Sequence, residues 1–114
     1  MQIPEQATLL RIFLGEGDRA GGRPLYEEIV LRAREARLAG ATVLRGPLGF
    51  GRTSRLHTAK ILRLSQDLPV VIEMVDTEQK IQAFLPTLDA YTASCLITLE
   101  TVTVVRYGEG AKGE

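Results

Sequence analysis

Short apolar runs of strand character alternate with two stretches of helical period along this chain. Ala7-Thr8-Leu9-Leu10-Arg11-Ile12-Phe13-Leu14 is a run of strand formers closed by Gly15 and Gly17. As a strand it puts Leu10, Ile12 and Leu14 on one face and Leu9, Arg11 and Phe13 on the other. Both faces are mostly apolar, which predicts a central strand. Residues 15–22 form a glycine-rich, charged loop. Pro24 suits a first helical turn, and Leu25, Ile29, Ala33, Ala36 and Gly40 recur at three- and four-residue spacing. The spacing predicts a helix over residues 24–39 with Gly40 as its C-terminal cap.

Residues 41–44 resume strand character, followed by glycines and arginines up to residue 58. Residues 60–64 and the strongly β-branched run 68–75 read as strand again, which makes the 45–58 segment the long connection of a hairpin. Asp76 with Gln79 three residues on has the capping-box pattern, and Ile81, Phe84, Leu85 and Leu88 give the stripe of a second helix, with Pro86 as a defect inside it. Residues 95–107 are dense in β formers, with an apolar phase that changes midway and predicts a bend or bulge, and residues 108–114 are a polar, frayed tail. The order β-α-β-β-α-β predicts an α+β ferredoxin-like sandwich: an antiparallel sheet with two helices on one face. One domain over residues 1–114 accommodates all of it.

Charge changes this picture in one place. Fourteen basic residues balance fourteen acidic ones, which argues against a dedicated nucleic-acid or membrane-surface binder. Yet no acid stands between Glu35 and Asp67, an interval that holds Arg37, Arg45, Arg52, Arg55, Lys60 and Arg63. Within it, Gly49-Phe50-Gly51-Arg52 joins glycines that let a backbone approach a ligand to a guanidinium that matches phosphate or carboxylate oxygens. The stretch reads as an anion-meeting loop or, equally, as a hairpin whose glycines only turn and whose arginines only solvate it.

Other chemistries find less support. His57 is the only histidine and Cys95 the only cysteine, so a nucleophile with its base, an internal disulfide and a single-chain metal site all lack residues. Cys95 begins an apolar strand and reads as a small core residue. The acids fall on helix faces and loops at no telling spacing, so the chain reads as a non-enzyme. An RNA-binding sheet needs stacking aromatics, and residues 68–75 have none. The N-terminus lacks the pattern of a signal peptide and no apolar run approaches the roughly 20 residues of a membrane span, so the expected location is the cytoplasm.

Gly40-Ala41-Thr42-Val43, Gly49-Phe50-Gly51-Arg52, Leu68-Pro69-Val70-Val71-Ile72-Glu73 and Val104-Val105-Arg106-Tyr107-Gly108-Glu109 together resemble the PII signalling superfamily, in the same order over nearly the whole chain. Leu14-Gly15-Glu16, Pro24-Leu25-Tyr26 and Arg45-Gly46 make the chain similar, more specifically, to a PII-like family catalogued as a domain of unknown function. The resemblance implies a homotrimer with inward-facing sheets and effector clefts between subunits. It implies that residues 45–58 match the effector-reading, partner-contacting loop, with Arg45, Gly49, Phe50, Gly51 and Arg52 at the effector, Arg55 and His57 toward a partner, and Arg106 reaching bound phosphates.

In PII proteins those clefts hold ATP or ADP, so an adenine nucleotide is the implied ligand. The chain departs from the superfamily at residues 88–94, where the glycine-rich phosphate loop would stand and no glycine or lysine occurs. A small anionic effector thus stays as open as a nucleotide. Members of the family often lie beside fluoride-exporter genes, which points to a membrane transporter as partner. The alternatives are a divalent-metal-binding trimer of the CutA kind, using His57 from each subunit, and an adaptor without ligand.

Overall fold

A computed structural model describes residues 5–51, 56–58 and 67–108, of which His57 and Thr58 are described by backbone alone. Its principal elements are β1 (Gln6–Gly15), α1 (Leu25–Glu35), β4 (Thr42–Arg45), β7 (Pro69–Asp76), α2 (Glu78–Leu88) and β8 (Leu96–Thr103). Two small ladders are added, β2 (Arg19–Ala20) with β3 (Arg23–Pro24), and β5 (Leu48–Gly49) with β6 (His57–Thr58). The four longer strands form one antiparallel sheet in the order β4-β7-β1-β8, with β1 central as its two-sided apolar sequence predicts. The architecture is the α+β ferredoxin-like sandwich.

Strand register decides which side chains meet the helices. Leu10 lies opposite Met74 and Ile12 opposite Ile72, so these residues and Val70 share one face. Leu25, Ile29 and Ala33 of α1 and Ile81, Phe84 and Leu88 of α2 pack on that face to make the core. Ile12, Ile29, Ile72 and Ile81 are fully buried, and burying each such side chain contributes about 1.5–3 kcal/mol.

Helix α1 ends at Glu35, four residues short of the predicted end. Arg37 adopts the left-handed conformation, φ 63°, and the amides of Arg37 and Leu38 bond back to the carbonyls of Arg34 and Ala33, a Schellman closure. Gly40 therefore caps nothing. At α2 the N-cap is Thr77, whose hydroxyl accepts from the Lys80 amide at 3.1 Å. Asp76, predicted for that role, is instead fully buried. Its carboxylate accepts from the amides of Ala39 (2.8 Å) and Thr77 (2.7 Å), with the Lys80 ammonium at 3.6 Å. Two donors and a cation make that buried charge tolerable.

Pro86 stays inside α2, within its last turn. Pairing of β8 with β1 runs residue for residue from Leu96 to Thr103 without a bulge. The changing apolar phase has another cause: β8 is an edge strand, exposed along most of both faces. It ends at Thr103, not at residue 107. The expected strand at 60–64 and the tail from residue 109 lie outside the described residues.

The side of the sheet away from the helices carries a row of apolar residues in register, Leu44, Val71, Phe13 and Leu96, one from each strand. Beside it Arg11 donates to Glu73 (2.9 Å) and to Glu100 (3.3 Å).

Candidate functional site: the base of the basic loop

The basic interval leaves the sheet at Arg45, the last residue of β4, and its first residues are fastened to the strand tips around them. The Gly46 amide donates to the Pro69 carbonyl at 2.8 Å. Leu48 pairs with Thr58 and Gly49 with His57, so a short hairpin closes the base of the 45–58 connection. Gly49 lies on the Pro69 ring: a Cβ there would stand 2.9 Å from the proline Cγ. No described residue stands within 4 Å of a Cβ added at Gly51, so there, unlike at Gly49, no described neighbour demands glycine.

Arg45 is engaged within the chain. Its guanidinium meets the Glu16 carboxylate at 2.6 Å and ties the loop base to the turn after β1. That turn is fixed in its own right. The Glu16 amide donates to the Leu68 carbonyl (2.8 Å), the Gly17 amide to Asp67 Oδ1 (2.6 Å) and the Gly15 amide to Asp18 Oδ2 (3.1 Å). A Cβ on Gly15 would lie 2.5 Å from Asp67 Oδ1, so glycine is what lets the Asp67 carboxylate reach this turn. Sequence reasoning used Glu16 and Pro69 only as family motif residues and Asp67 only as the end of the acid-free interval, and assigned none of the three to the site. The signal was present in the glycine pair 15 and 17, which marks a close approach as well as a turn.

Three apolar side chains stand out from the loop base: Leu48, Phe50 and Leu56 are 59%, 67% and 60% exposed. Arg52 and Arg55 lie outside the described residues, and His57 opens β6. Among the described residues no group of three or more His, Cys, Asp or Glu side chains is placed to hold a metal ion.

Arg106 stands elsewhere. After β8 the Val104 amide donates to the Glu5 carbonyl (2.6 Å), and the chain crosses the end of the sheet until the Tyr107 hydroxyl donates to the Ala39 carbonyl (3.0 Å). The Ala39 amide in turn bonds to Asp76, the last residue of β7, whereas the loop base rests on Pro69, the first. Seven residue steps of strand separate them, about 23 Å. Within one chain the exposed Arg106 and the loop base thus lie at opposite ends of the sheet.

The fold is that of the PII-like signalling proteins. It is similar to CPII, a nitrogen regulatory PII-like protein from Thiomonas intermedia K12 solved bound to ADP, AMP and bicarbonate (TM-score 0.61, 16% identity, covering 89% of this chain and 90% of that one). A PII-like signalling protein from Thermus thermophilus matches with a TM-score of 0.64 at 18% identity, over 92% of this chain and 95% of that one. The divalent ion tolerance protein CutA1 from Ehrlichia chaffeensis shares the fold more distantly (TM-score 0.54, 10% identity, 95% of this chain and 89% of that one).

Sequence places the chain more narrowly. Residues 7–104 match the model of DUF190, a family described as Uncharacterized ACR, and the chain belongs to that family. A UPF0166 protein of Aquifex aeolicus is 42% identical over 97 residues, 85% of this chain and 91% of the relative. Another from Methanocaldococcus jannaschii is 40% identical over 83 residues, 73% of this chain and 76% of the relative. No helix among the described residues is long and apolar enough to cross a membrane.

Proposed function

We propose that the protein is a non-enzymatic, cytoplasmic PII-like regulator: a homotrimer that senses a small anion or an adenine nucleotide and changes its contact with a partner protein. The observation that carries the proposal is that the loop base and Arg106 lie at opposite ends of the sheet, whose strand β7 runs roughly 23 Å between Pro69 and Asp76. One small anion meets both only where the loop base of one subunit stands near the C-terminal segment of another. The apolar row Leu44, Val71, Phe13 and Leu96 supplies a surface that such an assembly covers.

At the cleft, Gly49, Phe50, Gly51 and Arg52 hold the effector from one side and Arg106 from the other, while Arg45 keeps the loop base anchored through Glu16. The ADP and AMP in the CPII structure support an adenine nucleotide as the first ligand to try. Leu48, Phe50 and Leu56 form the face offered to the partner, a role the family resemblance extends to Arg55 and His57, and a membrane transporter is the candidate partner.

Calorimetry with ATP, ADP, AMP and bicarbonate tests the proposal, with Arg52→Ala and Arg106→Ala as controls and light scattering for the trimer. Binding by the wild type that either substitution weakens supports it. Silence toward the whole panel, or binding that neither substitution alters, removes the effector site and leaves an adaptor without ligand. A monomer in solution removes the composite cleft.

A further inference from the structure

The C-terminal segment is held across the sheet end at two points. The Val104 amide binds Glu5 beside the β1–β8 pair, and the Tyr107 hydroxyl binds Ala39 just before β4, at the far edge of the sheet. Three strand spacings, about 14 Å, separate the two edges that the segment joins. The second fastening is made to a rigid acceptor. Ala39 is held through its amide by the fully buried Asp76, Arg37 two residues earlier gives its carbonyl to the Lys80 ammonium, and Leu38 between them packs on the core. Between the two points Val105 and Arg106 project into solvent, and Gly108 turns the chain with a φ of 78°.

We infer that Tyr107 is the positioning residue for Arg106, a role that rests on the anion contact proposed for that arginine. The hydroxyl fastens the segment beyond its bend at Val105, so Arg106 leaves the backbone from a fixed place. Without it the Val104 bond is the one hydrogen bond left to the segment among the described residues, and ordering the freed residues then opposes ligand binding. The purely structural alternative is a tie that closes the end of the sheet. The two differ in one respect: a structural tie acts whether or not Arg106 is present, whereas positioning acts only through it.

Calorimetry with ADP on the wild type, Tyr107→Phe, Arg106→Ala and the double variant separates them, and amide exchange at residues 104–107 reports on the segment directly. Phenylalanine keeps the ring and loses only the donor. The expected results are ADP affinity about tenfold weaker in Tyr107→Phe, a double variant no weaker than Arg106→Ala alone, and faster exchange at residues 105–107. Binding by the wild type with Tyr107→Phe unchanged, or losses that add in the double variant, overturns the role of Tyr107 alone. A wild type silent toward ADP overturns that role together with nucleotide sensing, whatever the exchange rates show.

Discussion

Gly49 rests on Pro69 so closely that a single added methyl group would stand 2.9 Å from the proline Cγ. Proline offers no free rotamer to move aside, so the clash has to be relieved by shifting the loop base. Gly49→Ala is expected to destabilise the chain by about 1–3 kcal/mol and to weaken effector binding. Gly51→Ala, at a position with no described residue within 4 Å of the added methyl group, should leave the fold within about 0.5 kcal/mol. Urea unfolding of the two variants gives the comparison, and equal midpoints would refute the contact.

Arg37 closes α1 in a conformation that costs an L-residue with a Cβ about 1–2 kcal/mol. Its side chain is exposed, and the bonds that close the turn come from backbone groups. Arg37→Gly should therefore stabilise the protein by about 0.5–1 kcal/mol. Gly40→Ala, at a glycine without a left-handed φ or a close neighbour, should be neutral or mildly stabilising. Thermal unfolding distinguishes them. A destabilised Arg37→Gly with a strongly destabilised Gly40→Ala would return the cap to Gly40.

The helix end shows why the fold was legible in sequence and its joints were not. Apolar period alone identifies β1, α1, β7 and α2, because each buries one face or two and Leu10, Ile29, Ile72 and Ile81 sit where the period puts them. A helix end depends on a few backbone bonds, and Arg37 in a glycine's conformation leaves no trace in composition. Asp76 likewise matches a capping pattern and is diverted by a tertiary demand, the Ala39 amide 37 residues away. The candidate site was legible as a glycine- and arginine-rich loop. Its supports were not, since Glu16, Asp67 and Pro69 reach it only through strand ends that the sheet brings together.

Cys95 packs partly against the core, and loss of solvent, followed by the charge of Asp18, raises its pKa. Fewer thiolates follow at any given pH, so iodoacetamide at pH 8 should label Cys95 more slowly than it labels glutathione. Folding then favours the neutral thiol. That stabilisation is fully present below the ordinary value of 9.0 and is lost as pH rises through the higher folded-state value. Relative to Cys95→Ala, the wild type should lose urea resistance as pH rises above 9.0. Labelling as fast as glutathione, or parallel pH profiles, would contradict the assignment.

Arg11 is the one basic group on the open face of the sheet among the residues of its four strands, and it holds Glu73 at 2.9 Å and Glu100 at 3.3 Å. Apolar neighbours flank this charged row, with Phe13 and Val71 on one side and Leu9 and Val75 on the other. If three such faces meet, the arginine decides whether the carboxylates are paired or repel one another across the contact. Arg11→Glu places a third carboxylate in the row, and its expected effect is dissociation of the trimer at micromolar concentration while the monomer keeps its helical and strand content. Added salt should restore part of the assembly by screening. Combining Arg11→Glu with Glu73→Arg reverses the pair and should restore more of it, because the attraction returns without a change in side-chain types. Light scattering across these variants reads the outcome, and a trimer indifferent to Arg11→Glu would place the subunit contact on some other surface than the open face of the sheet.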